Sequence, residues 1–324
     1  MKKILRVLDA NANRAMEGIR VVEEIARFIL EDPKLTAETK TLRAQLKQAV
    51  SCLKAEKSRE AGKDIGARLY TESEGKRKNL SDIFKSNIKR GQEALRSLEE
   101  FSKLIDASLG KKFKALRFKL YEIETMMEPK VLKAVKLDFE VYLVTDPMRD
   151  HIKIVKEAIK AGIKIVQLRD KFASKAKYLQ LAKKVQKLTR QAGVVFIVND
   201  SVEVAKKVDA DGVHLGQKDG NPKKARKILG PDKLIGVSTH NLAEALKAQR
   251  AGADYIAIGN IFETPSKPGK NGIGAQKLKV ISEKLKVPVV AIGGINRNNI
   301  SKIKAVGIDR VAAIRGALDL LKSA

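Results

Sequence analysis

The chain has 324 residues, 66 Lys and Arg against 38 Asp and Glu, a net charge of +28, one Cys and no Trp. At 44% hydrophobic residues it can build cores, which excludes a disordered chain, and its length suits about two domains of ordinary size. The lone Cys52 excludes a disulfide scaffold and a Cys-rich metal site, and no apolar run reaches the roughly 18 residues of a membrane span.

The start, Met1 to Arg6, lacks the apolar stretch of a signal peptide, so a cytoplasmic protein is expected. Residues 1–136 carry 31 basic and 20 acidic side chains, and residues 137–324 carry 35 and 18. The excess is spread, with no basic tail, and many Lys such as Lys183, Lys184 and Lys187 fall on helical faces. With only 4% aromatic residues there is no base-stacking platform. Small anionic substrates are therefore the expected partners, with neither nucleic acid nor membrane among the main ones. A homo-oligomer stays open.

Residues 1–136 hold six of the 22 Gly and two of the eight Pro, and read as long helices. They contain an internal repeat. Arg14, Glu17, Ile19, Arg20, Val22, Glu23, Glu24 and Ile25 recur as Arg90, Glu93, Leu95, Arg96, Leu98, Glu99, Glu100 and Phe101. Leu42-Arg43 and Leu46 recur as Leu116-Arg117 and Leu120. Two similar hairpins predict a four-helix arrangement with pseudo-two-fold symmetry over residues 1–130. At 100° per residue Arg14 borders the arc of Ile19, Val22, Ile25, Ala26 and Ile29, and Arg90 takes the same place, so both are expected on the buried face. A buried Arg needs a carboxylate or a bound anion, so an ion pair with Glu17 or Glu24 and an anion site between the hairpins are both open. The polar stretch Ser58 to Asn79 between the hairpins is long enough to carry function.

A boundary falls between Glu128-Pro129 and Asp138. Beyond it, over 138–324, short β-branched runs alternate with helical runs. The strand candidates are Val141–Thr145, Ile163–Leu168, Val194–Val198, Gly212–Leu215, Leu234–Ser238, Tyr255–Gly259, Val289–Ile292 and Arg310–Ile314. Eight near-equal strand-helix units without a topological break predict an α/β fold, a (β/α)8 TIM barrel preceded by an all-α helical domain, rather than a doubly wound sheet.

Catalytic groups of such a barrel gather at the carboxyl ends of its strands. Gln167, Arg169 and Lys171 follow strand two at alternate positions, so they face one side of an extended segment and suit a phosphate or diphosphate. Asn199 and Asp200 follow strand three, and Asp219 follows strand four. Two carboxylates beside a basic cluster suit Mg2+ bridging a diphosphate. Ser238 and His240 end strand five, and Thr264, Ser266 and Lys267 follow strand six. Gly293-Gly294 follow strand seven and let backbone N–H groups approach a phosphate, with Ile314 and Arg315 after strand eight. Each has a plainer reading. Asp200 is a helix N-cap, Asp219 and the two Gly are turn residues, and Arg169 pairs with Asp170. His214 packs, His240 belongs to a helix start, and Lys267 is solvated. Convergence on one barrel face weakens these readings jointly.

At these residues the chain resembles the thiamine phosphate synthase family, also called thiamine-phosphate pyrophosphorylases. The matching motifs are Tyr142 to Asp146, Gln167 to Lys171, Val198 to Asp200, Asp211 to Gln217 with Asp219, Gly236 to His240, Gly252 to Tyr255 leading into Thr264 to Lys267, and Ala291 to Ile295. The resemblance covers about 139–320. It implies a Mg2+-dependent transferase that joins hydroxymethylpyrimidine diphosphate to thiazole phosphate or carboxythiazole phosphate, giving thiamine phosphate and diphosphate. It implies that Gln167, Arg169, Lys171 and Asn199 hold the pyrimidine diphosphate and that Asp200 and Asp219 bind the metal. Ser238 and Lys267 would contact the pyrimidine or its leaving diphosphate. Thr264, Ser266, Gly294 and the backbone near Ile314 and Arg315 would hold the thiazole phosphate. Among these, Arg169, Lys171 and Lys267 are the expected catalytic residues. Arg315 stands where many family members have Ser.

Residues 1–130 resemble the helical ThiD2 domain fused to some of these synthases, through Asp9 to Arg14, Glu17 to Glu24, Asp64 to Gly66 and Arg90 to Arg96. That label implies a role with hydroxymethylpyrimidine phosphate, although the half has no Gly-x4-Gly-Lys-Ser/Thr phosphate loop. A non-catalytic binder of thiamine-type phosphates and a thiazole tautomerase relative are the alternatives.

Overall fold

The computed structural model describes residues 1–53, 76–264 and 272–321. It divides into two compact units, Met1–Val135 and Lys136–Ala324. In the first, helix α1 (Lys2–Glu24) runs into a π-helical turn (Ile25–Ile29), followed by α2 (Pro33–Ser51), α3 (Leu80–Ser102) and α4 (Ala107–Lys136). Asp32 caps α2 by accepting from the Leu35 N–H, with Pro33 in the first turn where no donor is lost. Asn79 caps α3 through the Asp82 N–H. Leu8, Ile19 and Val22 of α1 close a core with Leu42 and Leu46 of α2, Phe84, Ile88 and Leu95 of α3, and Phe113 and Leu120 of α4. Helix α4 continues through Pro129 to Lys136. A proline inside a helix costs about 3 kcal/mol, and buried Met127 and Val131 on either side offset that cost.

The repeat leaves a physical signature. Glu23, 5% exposed, is held by Arg43 at 2.8 Å, and Glu99, 4% exposed, is held by Arg117 at 2.8 Å. The four residues are repeat equivalents. Arg14 and Arg90 are exposed, contrary to the expectation that both are buried. At 100° per residue each falls about 20° beyond the apolar arc, where a long side chain reaches water. The buried charges of the repeat are thus Glu23 and Glu99. Of the Ser58 to Asn79 stretch, residues 58–75 lie outside the described residues.

The second unit is a closed barrel of parallel strands in the order β1 to β8. They are β1 (Val141–Val144), β2 (Ile165–Leu168), β3 (Val195–Asn199), β4 (Gly212–Leu215), β5 (Leu234–Thr239), β6 (Tyr255–Ile258), β7 (Val289–Ile292) and β8 (Val311–Ala313). Between them stand α5 (His151–Lys160), α6 (Lys175–Ala192), α7 (Val202–Lys207), α8 (Pro222–Leu229), α9 (Leu242–Arg250), α10 (Gly274–Ser282) and α11 (Ile300–Lys304), with α12 (Ala317–Leu321) after β8. Strand β1 pairs with both β2 and β8, which closes the ring.

Side chains alternate along each strand. Tyr142, Val144, Ile165, Ile197, Leu234, Tyr255, Ala257, Val290 and Ala312 form the inner cluster. Val141, Leu143, Val166, Phe196, Val198, Val213 and Ile256 face the helices. Burying each such side chain contributes roughly 1.5–3 kcal/mol, so register is strongly fixed. The same alternation carries Gln167, Asn199, His214 and Ser238 inward at the strands' carboxyl ends. No helix among the described residues is long and apolar enough to cross a membrane.

Candidate active site

A cavity of about 500 Å3 opens at the carboxyl ends of the strands. Of the residues expected from the sequence, Gln167, Arg169, Lys171, Asn199, Asp200, Asp219, Ser238, Thr264, Gly294, Ile314 and Arg315 all line it. Ser266 and Lys267 lie outside the described residues.

The basic side is built by the β2 end. Asp170 does not pair with Arg169. It accepts from the Phe172 and Ala173 N–H groups and meets His151 at 3.3 Å, so it shapes the turn. Arg169 is held by its backbone, whose N–H donates to Thr145 Oγ1, and its guanidinium is left to the cavity wall. Lys171 reaches Asp200 at 3.7 Å. Beneath them the buried Tyr178 hydroxyl of α6 lies 2.8 Å from the Leu168 carbonyl and 3.1 Å from the Asn199 carbonyl, tying the ends of β2 and β3.

Asp200 is not a helix cap. Ser201 caps α7 by accepting from the Val204 N–H. Asp200 instead adopts φ 64°, a left-handed conformation that costs a non-glycine residue of order 1 kcal/mol. Its N–H is anchored to the His214 carbonyl at 2.8 Å. Burial, then the neighbouring Asp219 carboxylate, push its pKa up to about 6. Asp219 also accepts from the Gly216 N–H at 3.0 Å, so it is a turn residue and a site residue at once.

That pair is the place in the cavity where a divalent cation would bind. The described residues contain no group of three or more His, Cys, Asp or Glu able to hold a metal. Two adjacent carboxylates supply hard oxygen donors and leave further positions for water and phosphate oxygens, which is how Mg2+ is usually bound. The repulsion that raises the Asp200 pKa is what such a cation would relieve. The residues fit the ion.

His214 is buried, and burial lowers its pKa to about 4, so it is neutral. Its ring nitrogens meet the Tyr255 hydroxyl at 3.0 Å and Ser238 Oγ at 2.8 Å. His240 belongs to the start of α9, where its N–H and ring engage Glu244. Gly293 and Gly294 have φ 103° and 68°, and a Cβ on Gly294 would stand 2.3 Å from the Glu263 carbonyl. Both conformation and close approach therefore require glycine there.

Arg315 does not stand free. Its Nε is 3.0 Å from Asp146 Oδ2, with Arg315 64% exposed and Asp146 nearly buried. Burial raises the Asp146 pKa, but the Met148 N–H and Arg315 overcome it and hold the group below the usual carboxylate range. Asp146 belongs to a sequence motif that carries no expected role, and Asn260, absent from the expected residues, also lines the cavity. Asn260 is 8% exposed and its Nδ2 has no hydrogen-bond partner. The one available signal was its place two residues after the buried end of β6.

The family model described as thiamine monophosphate synthase matches residues 141–317, and the ThiD2 family model matches residues 6–126. A thiamine-phosphate synthase of Synechocystis sp. is 40% identical over 322 residues, covering 98% of this chain and 92% of that protein. One of Thermosynechococcus vestitus is 40% identical over 321 residues, covering 98% and 91%. Among solved structures, thiamine phosphate pyrophosphorylase from Pyrococcus furiosus is 38% identical with a TM-score of 0.52, covering 58% of this chain and 93% of that one. The chain therefore belongs to the thiamine-phosphate synthase family of transferases, with a ThiD2-family region ahead of its barrel.

Proposed function

We propose that the barrel mouth, within residues 138–324, joins hydroxymethylpyrimidine diphosphate to thiazole phosphate by letting diphosphate depart before the new C–N bond is complete. The observation that carries this reading is the convergence of Asp200, Asp219, Arg169 and Lys171 on one cavity. Mg2+, bound by Asp200 and Asp219, would supply a Lewis acid for the leaving diphosphate. Arg169 and Lys171 supply fixed positive charge to the same oxygens, and Lys267 adds to it from the β6–α10 segment. Gln167, Asn199 and Ser238 hold the pyrimidine diphosphate. Thr264, Ser266, Gly294 and the backbone at Ile314 and Arg315 hold the thiazole phosphate, so that its ring nitrogen faces the exocyclic CH2. The aminopyrimidine spreads the positive charge left on that carbon, so no protein nucleophile is needed, and positioning with electrostatics carries the step.

The test uses the full chain with Mg2+, hydroxymethylpyrimidine diphosphate and thiazole phosphate, and assays thiamine phosphate. A parallel tube replaces the diphosphate by hydroxymethylpyrimidine monophosphate and ATP. Product in the first tube supports the barrel reading. Product in the second assigns the helical domain, residues 1–130, a step on the monophosphate, provided residues 137–324 alone fail there. No product in either tube from folded protein overturns the reading.

A further inference from the structure

The polar groups at the cavity wall continue into the barrel interior. Gln167 Nε2 donates to the Tyr142 hydroxyl at 2.9 Å, and the Tyr142 and Tyr255 hydroxyls are 3.0 Å apart. The Tyr255 hydroxyl is 3.0 Å from His214 Nδ1, and His214 Nε2 is 2.8 Å from Ser238 Oγ. One unbroken chain thus crosses the barrel from β2 through β1, β6 and β4 to β5. Its middle members are buried, and both its ends, Gln167 and Ser238, line the cavity.

The backbone keeps room for it. A Cβ on Gly236 would stand 2.1 Å from Tyr255 Cζ and 2.5 Å from His214 Nδ1. Any side chain at Gly236 would displace the middle link.

Counting protons fixes the direction. An amide nitrogen can only donate, so Tyr142 accepts from Gln167 and must pass its own proton to Tyr255. Tyr255 then donates to His214 Nδ1, and the neutral imidazole carries its proton on Nε2 and donates it to Ser238. The Ser238 proton is left for the cavity, and so is Gln167 Oε1. One end of the chain offers a donor and the other an acceptor. Reversing either end requires turning the amide and every proton between.

We propose that Tyr142, Tyr255 and His214 are positioning residues whose fixed hydrogen-bond polarity makes the site select an amino-substituted pyrimidine over its oxo analogue. The inference rests on the pyrimidine reading above. A 4-aminopyrimidine offers an N–H donor for Gln167 Oε1 and a ring nitrogen for the Ser238 hydroxyl. Exchanging amino for oxo turns the donor at C4 into an acceptor and sets two acceptors face to face.

The experiment compares kcat/KM of the full chain with Mg2+ and thiazole phosphate for the amino and the 4-oxo pyrimidine diphosphates. A site built around hydrogen bonds rejects a mismatched group by large factors, so wild type should favour the amino form by at least about 1,000-fold. Tyr255→Phe and Tyr142→Phe keep the rings and cut the chain. Each should lower that ratio at least tenfold, mainly through improved use of the oxo form. The chain has only three His, so 15N NMR can read the His214 tautomer directly. It should be protonated on Nε2 in wild type and mixed in Tyr255→Phe. His214 protonated on Nδ1 in wild type, or full discrimination retained in both folded variants, would overturn the proposal. Wild type that turns over neither substrate would overturn the proposed function and this selection with it. Turnover with undiminished discrimination in the variants would overturn the selection alone.

Discussion

Asp219→Asn should stabilise the metal-free protein while removing its response to magnesium. Burial and then the neighbouring Asp219 raise the Asp200 pKa from 3.8 to about 6. Each pH unit of displacement corresponds to about 1.4 kcal/mol, so the native state carries a penalty of roughly 3 kcal/mol when Asp200 is ionised. The sign follows from proton uptake. Between pH 4 and 6 the native state holds the proton more tightly than the unfolded chain, so stability falls as pH rises through that window and the penalty is complete above it. Burial, the largest cause, survives the substitution, and the Asp200 side chain is still 30% exposed, which screens the remainder. Asp219 therefore accounts for about 1 kcal/mol of the penalty. Asn keeps an oxygen for the Gly216 N–H, so the turn is conserved. Thermal melts at pH 8 without metal should place Asp219→Asn about 2–4 °C above wild type, with the gap closing near pH 4.5. Titrating Mg2+ should raise the wild-type melting point and leave the variant nearly unmoved. A variant that melts below wild type at pH 8 without metal, or one whose Mg2+ response is intact, would show that Asp219 neither strains Asp200 nor holds the ion.

Three further outcomes are expected. Arg169→Ala should lower kcat by about 100- to 1,000-fold, the loss typical of one preorganised charge, with an unchanged melting point; a near-normal rate in folded protein would remove Arg169 from the site. Glu99→Gln leaves the largely buried Arg117 without its carboxylate and should cost roughly 3 kcal/mol, read as faster amide exchange in α3 and α4; protection equal to wild type would make the pair dispensable. Arg315→Ala removes a partner that is 64% exposed, so it should cost under about 1 kcal/mol of stability, and by taking away the positive charge beside the backbone proposed to hold the thiazole phosphate it should raise KM for that substrate several-fold. An unchanged KM would assign Arg315 to holding Asp146 alone.

The barrel was legible because a period of two leaves little freedom. Once Ile165 and Ile197 face inward, Gln167 and Asn199 must face the same way, and the strand ends name the site. The helical half was legible as hairpins but not in its charges. An ideal 100° step places Arg14 just beyond the apolar arc, and at such a border a long flexible stem decides for water. The partners of Glu23 and Glu99 are set by how α2 and α4 lie against α1 and α3, and single-helix periodicity does not carry that information. The chain from Gln167 to Ser238 was invisible for a related reason. Tyr142 and Tyr255 are 113 positions apart and meet only when the ring closes. Each reads locally as an inward aromatic residue, and only closure turns their hydroxyls into neighbours.

Where local rules fail is itself informative. Asp200 breaks two of them, a left-handed backbone on a residue with a side chain and an ionisable group pressed against a like charge. Both costs fall on one residue, and both vanish from the ledger of stability if the residue is released. A structural role for Asp200 does not account for this, because Ser201 already caps α7 and an Asn at 200 would tolerate the same backbone. What an Asn would lack is the second negative charge beside Asp219. A cationic ligand that binds only the folded state would relieve that repulsion and contribute its binding free energy there. On that argument Asp200→Asn should resemble Asp219→Asn in gaining stability without metal, and the two substitutions together should add less than their sum, since either one already ends the repulsion.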